Sequence, residues 1–203
     1  MFSFDDFLVR AKTRLLREPA AAWDFSDDDL NAKARMIPVG VKPKPAAVLV
    51  PIILRKEPMV LLTQRHAGLS KHAGQIAFPG GRIDDGETPM QAALREAKEE
   101  VGLESSYVQV LGYLPGYLTV TAYQVAPVVA VVNLGFALNL QLEEVDEAFE
   151  VPLSFLMSHE NCQRQSRDWH GVARYYYVYQ FDDRHIWGAT AGMIRSLHDQ
   201  IYS

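Results

Sequence analysis

The sequence lacks several features that mark particular classes of protein. It has one cysteine in 203 residues, Cys162, so no disulfide can form within the chain, which is typical of a reducing cytoplasm. Its net charge of −5 argues against broad electrostatic binding to nucleic acid, so we expect no nucleic-acid partner. The most apolar stretch, 120–142, is interrupted by Gln124, Pro127 and Asn133 and has valine-rich pieces typical of buried strands, so no membrane span is expected.

What is present is the composition of an ordinary folded domain, 48% hydrophobic and 22% charged. Strand and helix patterns alternate along the chain, which predicts an α/β (α+β) sandwich around a mixed sheet. The length favours a single domain over 1–203, with an N-terminal helix and arm over 1–45 and the main core over 46–203.

Hydrophobic periodicity locates most elements. Residues 4–15 and 190–202 have helical spacing, and a short helix is expected near 27–34. Pro51 lies within an apolar run, so the first long strand is expected at a sheet edge or at a bulge. Strands are predicted at 46–54, 59–65, 107–114, 118–132, 145–151 and 174–181.

One stretch, Gly81–Leu103, has unusually clear helix punctuation. Thr88 and Gln91 form a capping-box pattern, and Pro89 fits the first helical position. Gly102 is placed to end the helix in a left-handed conformation. We therefore predict a short capped helix whose apolar face, which includes Met90, is buried.

Three acidic residues follow one another along this helix at spacings that place them on one side. Glu96, Glu99 and Glu100 sit at i, i+3 and i+4, off the predicted apolar face. Such like charges repel each other unless a hard cation, such as Mg2+, binds between them. The spacing alone leaves two interpretations open, a solvated acidic face or a metal site.

The whole stretch resembles the Nudix box, Gly-x5-Glu-x7-Arg-Glu-U-x-Glu-Glu-x-Gly-U with U aliphatic. Its fixed positions fall on Gly81, Glu87, Arg95, Glu96, Glu99, Glu100, Gly102 and Leu103. The resemblance implies an α/β/α Nudix hydrolase that cleaves a diphosphate in a small molecule. It implies that the three acids bind Mg2+ or Mn2+ with help from the Gly80 carbonyl. Glu87, Arg95, Gly81 and Gly102 would then shape the loop and helix around the metal ligands.

Hydrolysis also needs a base that takes a proton from water. In Nudix enzymes the base is a box glutamate or an acid from a distant loop, so Glu96, Glu99 and Glu100 are candidates. In this chain Glu144 and Glu147 are candidate distant acids, although the same run also fits an exposed charged loop.

The segment before the box narrows the expected substrate. Leu61–Gly81 resembles the signature of the coenzyme A pyrophosphatase subgroup, Leu-Leu-Thr-x-Arg followed by a loop ending Gly-x3-Phe-Pro-Gly-Gly. It departs from that pattern at His66 and Ser70, where the subgroup has a small residue and an arginine. The resemblance implies cleavage of coenzyme A or its thioesters into 3′,5′-ADP and 4′-phosphopantetheine or its acyl form. The candidate substrate-binding residues are Arg65, Lys71, His72 and Arg82, and either arginine could instead pair with a neighbouring acid.

Two other interpretations remain open at this point. The chain could hydrolyse another diphosphate, such as an oxidised nucleoside triphosphate or a dinucleotide sugar. It could also be a catalytically silent ligand-binding module of the same fold, although such modules usually lose box glutamates that are all present here. The pattern does not distinguish a monomer from a homodimer.

Overall fold

The computed structural model describes residues 2–37, 40, 42–68 and 73–203. The helices are α1 (Phe4–Arg14), α2 (Pro89–Val101), α3 (Leu153–Leu156) and α4 (Ala189–Tyr202), with short 3-10 turns at Ser105–Tyr107 and His159–Asn161. The strands are β1 (Trp23–Ser26), β2 (Lys44–Ile53), β3 (Met59–Arg65), β4 (Ile76–Ala77), β5 (Gly80–Arg82), β6 (Val108–Tyr113), β7 (Gly116–Leu118), β8 (Tyr123–Val132), β9 (Val145–Pro152), β10 (Cys162–Trp169), β11 (Val172–Phe181) and β12 (Arg184–Trp187).

Nine of these strands form one mixed sheet with β2 and β8 at its centre. Those two strands pair in parallel over ten residues each, and the order through the sheet is β1-β7-β8-β2-β3-β4. β5 pairs with β2, β6 with β8, and β9 with β3. A separate sheet of three antiparallel strands, β10-β11-β12, lies beside it.

Alternation along the central strands gives the sheet two buried faces. Leu49 and Ile53 of β2 belong to one hydrophobic core with Ala93 and Ala97 of α2. Val50 and Ile52 belong to the other core, which includes residues of α1 and α4. Burying each of the leucine, isoleucine and valine side chains stabilises the fold by about 1.5–3 kcal/mol. The predicted α/β/α sandwich is therefore confirmed.

Pro51 marks neither a sheet edge nor a bulge, so that prediction was wrong: β2 lies inside the sheet and its register with β8 is unbroken. The Leu49 N–H donates to the Pro79 carbonyl at 2.8 Å, and the Leu54 N–H donates to the Val132 carbonyl at 3.0 Å on the opposite side of β2. Successive backbone N–H groups of a strand point to opposite neighbours, so the nitrogen of Pro51 faces the same side as that of Leu49. On that side Pro51 falls between the residues of β2 that pair with β5 and those that pair with β3. A central strand tolerates proline there because no ladder bond is lost.

The predicted short helix near 27–34 was also wrong, because side chains there bind backbone groups elsewhere. The buried Asp28 carboxylate accepts the Met36 and Ile37 N–H groups at 3.1 and 2.9 Å. The Asn31 side chain donates to the Tyr175 carbonyl at 2.9 Å and accepts the Tyr175 N–H at 2.7 Å. Such bonds compete with helix formation and instead fix the arm, residues 23–37, against β11.

None of the helices in the described residues is long and apolar enough to cross a bilayer.

Candidate active site

Helix α2 begins and ends as its sequence predicts. The Thr88 and Gln91 side chains form the reciprocal capping box, Pro89 occupies the first turn, and Gly102 ends the helix with φ 72°. A side chain at Gly102 would be strained in that conformation and would come within 2.9 Å of Asn139. These caps fix where the glutamates of the last two turns lie. Met90, expected in the buried face, is 37% exposed, so that prediction was wrong: the buried face of α2 begins at Ala92.

Arg95 is the centre of the charge network on α2. Its Nε and Nη2 donate to the two oxygens of Glu87 at 2.8 and 3.0 Å, a bidentate pair. Its Nη1 donates to Glu96 Oε1 and to Glu99 Oε2, both at 2.9 Å. The Arg95 hydrogen bonds hold the pKa of Glu87 down to about 2. Arg95 therefore ties the loop before α2 to two of the three predicted metal ligands.

Glu100 is buried, which corrects the expectation that it lies off the apolar face. It is 3% exposed, its Oε2 accepts the Gly80 N–H at 3.2 Å, and Arg65 Nη1 lies 3.7 Å from its Oε1. Burial raises the pKa of Glu100 to about 7, and the charges of Glu96 and Glu144 also raise it. Gly80, predicted to contribute its carbonyl, contributes its N–H to this contact.

Glu96 packs directly against the backbone of Gly81. A Cβ on Gly81 would lie 2.4 Å from Glu96 Oε1, so this position must be glycine for the carboxylate to lie where it does. Burial raises the pKa of Glu96, and the charges of Glu99 and Glu144 also raise it against the opposing effect of Arg95. The loop and the helix are thus in contact at the acids themselves.

The two candidate distant acids lie in different surroundings. Glu144 contributes repulsion to both Glu96 and Glu100, so its charge is close to the acids of α2. Glu147 lies opposite Gln64 in the β3–β9 pairing, and its carboxylate accepts two hydrogen bonds from Arg184, at 2.6 and 2.8 Å. The charge of Glu144 therefore acts on the α2 acids, whereas the carboxylate of Glu147 is occupied by Arg184.

Among the predicted substrate-binding residues, Lys71 and His72 lie outside the described residues, as does Ser70. Arg65 ends β3, and its buried Nε has no hydrogen-bond partner among the described residues. Arg82 ends β5 directly after the glycines, and its side chain is exposed. Asp146 binds both the His66 ring and the Ala67 N–H, the latter at 2.8 Å, so His66 helps to fix the start of the loop.

Arg65 and Arg82 open onto a cavity of about 650 Å³. Gly80 and Gly81 also line it, so the cavity reaches the loop that contacts the acids of α2. Its other walls come from the arm, the sheet β10-β11-β12, and α4. Ser196 on α4 lines it as well, and its buried hydroxyl finds no partner within the part of the chain that the structure describes.

The comparisons with known proteins fit this geometry. The family model described as NUDIX domain matches residues 43–185. The chain belongs to the Nudix hydrolase family. It is 45% identical over 161 residues to an uncharacterized Nudix hydrolase, NudL, of Escherichia fergusonii, covering 77% of this chain and 82% of that protein. The Escherichia coli K12 protein of the same name is 44% identical over the same coverage.

A solved structure supports the fold alone. The MutT/nudix family protein from Enterococcus faecalis superimposes with a TM-score of 0.51 at 17% identity, covering 81% of this chain and 64% of that one. Nudix hydrolases are pyrophosphohydrolases that act on phosphorus anhydrides, and they generally need divalent cations such as Mg2+ or Mn2+.

The donor set of this Nudix chain fits such a cation in chemistry, although the carboxylates are not gathered around one point. No group of three or more His, Cys, Asp or Glu side chains in the described ranges has metal-binding geometry. The reason is visible in the contacts: Arg95 holds Glu96 and Glu99, while Glu100 turns to Gly80. The mutual repulsion of these carboxylates is what a hard cation relieves, and oxygen donors are what it prefers.

Sequence reasoning missed most of the cavity wall. Arg167 and Trp169 lie on β10, whose polar, largely exposed sequence gave no clear strand signal. Asn31 holds the arm in place, but it belongs to no sequence motif that would indicate this role. Residues 162–169 have no apolar alternation that would reveal the strand, and nothing in the sequence links the arm to β11.

Proposed function

We propose that this Nudix hydrolase cleaves the diphosphate of coenzyme A or an acyl-coenzyme A, giving 3′,5′-ADP and 4′-phosphopantetheine or its acyl form. The observation that carries the proposal is the segment Leu61–Gly81, which resembles the coenzyme A pyrophosphatase signature apart from His66 and Ser70. Its matching positions Arg65, Gly80 and Gly81 line one cavity, so the segment that suggests the substrate also borders the acids of α2.

In this proposal the basic side chains of the site bind the diphosphate. Arg65 and Arg82 line the cavity beside the glycine loop, where their guanidinium groups can donate to the oxygens of a diphosphate. The buried Nε of Arg65, which lacks a partner in the described structure, gains one from such an oxygen. Lys71 and His72 remain predicted contributors to substrate binding.

Glu96, Glu99 and Glu100, with the Gly80 carbonyl, would hold the divalent cation, which when bound neutralises the diphosphate and acidifies water. Glu87 positions Arg95, and Arg95 in turn positions Glu96 and Glu99. Gly81 leaves the space that Glu96 occupies, and Gly102 ends the helix just beyond Glu100.

Glu144 is the proposed base. Its charge acts on both Glu96 and Glu100, and it has no ion pair among the described residues, so it is free to accept a proton from the attacking water. Glu147 is held by Arg184 and is the weaker candidate. A box glutamate that is not bound to the cation is the remaining alternative.

The proposal is tested by incubating the purified protein and a Glu99→Gln variant with coenzyme A and Mn2+ and identifying the products by mass spectrometry. We expect 3′,5′-ADP and 4′-phosphopantetheine from the unmodified protein and a rate at least about 100-fold lower from the variant. Equal rates would overturn the metal assignment. A Lys98→Gln variant is a matched control, because Lys98 is the neighbouring residue and pairs with Glu104.

A panel with oxidised nucleoside triphosphates and dinucleotide sugars decides between substrates. Faster turnover of any of these would replace coenzyme A in the proposal, and no turnover of any diphosphate would favour the silent binding module. The cytoplasmic location stays a prediction from the single cysteine, and the choice between monomer and homodimer stays open.

A further inference from the structure

The cavity contains more arginines than the cleavage of one diphosphate requires. Besides Arg65 and Arg82 at the glycine loop, three arginines line it from the far walls. Arg174 is matched by Asp28 at 2.9 Å, and its remaining donors bind carbonyls of the arm. These contacts commit Arg174 to structure.

The remaining two arginines differ from each other. Arg195 is matched by Asp199 at 2.8 Å. Arg167 has no ion pair and no hydrogen bond within the described ranges, and it is exposed. Arg167 is therefore an uncommitted positive charge on the cavity wall formed by β10.

The acidic residues of the cavity offset this charge only in part, because three aspartates and five arginines line it among the described residues. Asp27 accepts the Tyr117 hydroxyl at 2.9 Å and the Val120 N–H at 2.8 Å. Asp29 accepts the Ser26 N–H at 2.7 Å and the hydroxyl of the same serine at 2.6 Å. Asp199 is also paired with Arg195, so the positive charges of the described lining outnumber the negative ones and leave a positive excess for a ligand.

Arg167 also lies on an aromatic face. Directly opposite residues of antiparallel strands share a face, and the pairs Arg167–Arg174, Gln165–Tyr176 and Val178–Trp187 are in register. Alternation adds Trp169 to the same face as Arg167. Tyr176 and Trp187 contact each other with ring centroids 5.6 Å apart, and all the aromatic residues of this face line the cavity.

A planar base next to a phosphate is the ligand chemistry that such a face recognises, because aromatic rings stack on bases and a free guanidinium binds phosphate in a bidentate way. We propose that Arg167 binds a phosphate monoester on the ribose of the substrate, separate from the diphosphate at Arg65 and Arg82, while the aromatic face receives the base. This inference rests on the proposed function, since coenzyme A carries such a 3′-phosphate. Arg167 is then a specificity residue for nucleotides that bear a second anionic group.

The test compares coenzyme A with dephospho-coenzyme A, which has the same diphosphate and lacks only the 3′-phosphate. For Arg167→Gln we expect the ratio of kcat/KM for coenzyme A over dephospho-coenzyme A to fall roughly 10- to 100-fold, mainly through KM. Arg164→Gln is the matched control: it changes an arginine of the same strand on the opposite face, where the guanidinium lies 4.0 Å from the Tyr175 ring centroid. Its ratio should stay at the unmodified value.

Binding separates failure of this inference from failure of the proposed function. Isothermal titration with 3′,5′-ADP and with 5′-AMP should show a preference for the bisphosphate that Arg167→Gln removes and Arg164→Gln keeps. If the bisphosphate preference depends on Arg167 but coenzyme A is not cleaved, the proposed function fails while the phosphate site stands. If the two nucleotides bind equally, or if both arginine variants lose the preference to the same degree, the assignment of Arg167 is overturned.

Discussion

Replacing Gly81 by alanine should damage catalysis while leaving the fold nearly intact. The added Cβ would lie 2.4 Å from Glu96 Oε1, and the three nearest atoms it meets all belong to the Glu96 carboxyl group. Ordinary contact begins at 3.4 Å, so the carboxylate must move by about 1 Å. A shift of that size at a reacting centre can lower the rate about 100-fold. The end of a flexible side chain can move in this way at little cost in folding free energy.

The assay measures kcat and KM for diphosphate hydrolysis together with the midpoint of thermal unfolding. Gly86→Ala provides a contrasting control in the same loop. No atom of the described residues lies within 4 Å of its added Cβ, but the φ of 86° strains an alanine by about 1–2 kcal/mol. We expect Gly86→Ala to lower the unfolding midpoint with activity retained. Gly81→Ala should lower activity with the unfolding midpoint nearly unchanged.

Two results would refute this reasoning. If Gly81→Ala kept full activity, the position of Glu96 against the loop would be unimportant for the chemistry. If it lost activity only in proportion to lost folded protein, Gly81 would be needed for folding and not for placing a carboxylate.

Three further predictions follow from the same contacts. Glu144→Gln should lower kcat at least about 100-fold with little change in KM, whereas Glu147→Gln should lower it less than tenfold, and steady-state kinetics decides. Arg95→Lys should lower kcat, because one ammonium cannot reproduce the bidentate pair of Arg95, and restored activity in excess metal would contradict this. Burial alone would raise the pKa of Asp28, but its hydrogen bonds to backbone N–H groups and to Arg174 outweigh burial and lower that pKa from the ordinary 3.8. The Asp28→Asn variant should therefore lose the most free energy of unfolding above pH 4 and progressively less as the pH falls below it. Denaturant titrations at pH 7 and pH 3 test this, and an equal loss at both would refute it.

The sequence predicts the part of the site that is local along the chain. The capped helix α2, with Thr88, Pro89 and Gly102 at its ends, depends on neighbours within a few residues. The glutamate spacing on that helix follows from the same geometry. By contrast, the burial of Glu100 depends on the glycine loop and on Arg65, which are distant in sequence, so periodicity could not reveal it.

The parts that escaped prediction rest on long-range contacts. The arm is fixed by the Asn31 amide on the backbone of Tyr175, 144 residues away. The strand containing Arg167 is polar and exposed, so it lacks the apolar alternation that marks a half-buried strand. These two features form cavity walls, which explains why the predicted substrate-binding residues all lie within 65–82 and none on the other walls.

In the proposed function, Glu96, Glu99 and Glu100 of α2 bind a divalent cation beneath the diphosphate. Electron paramagnetic resonance of Mn2+ titrated into the protein measures this directly, without depending on turnover. We expect saturable Mn2+ binding. Glu96→Gln and Glu99→Gln should each weaken the affinity at least about tenfold, and Lys98→Gln should leave it unchanged. Binding that is absent, or equally strong in all three variants, would contradict it.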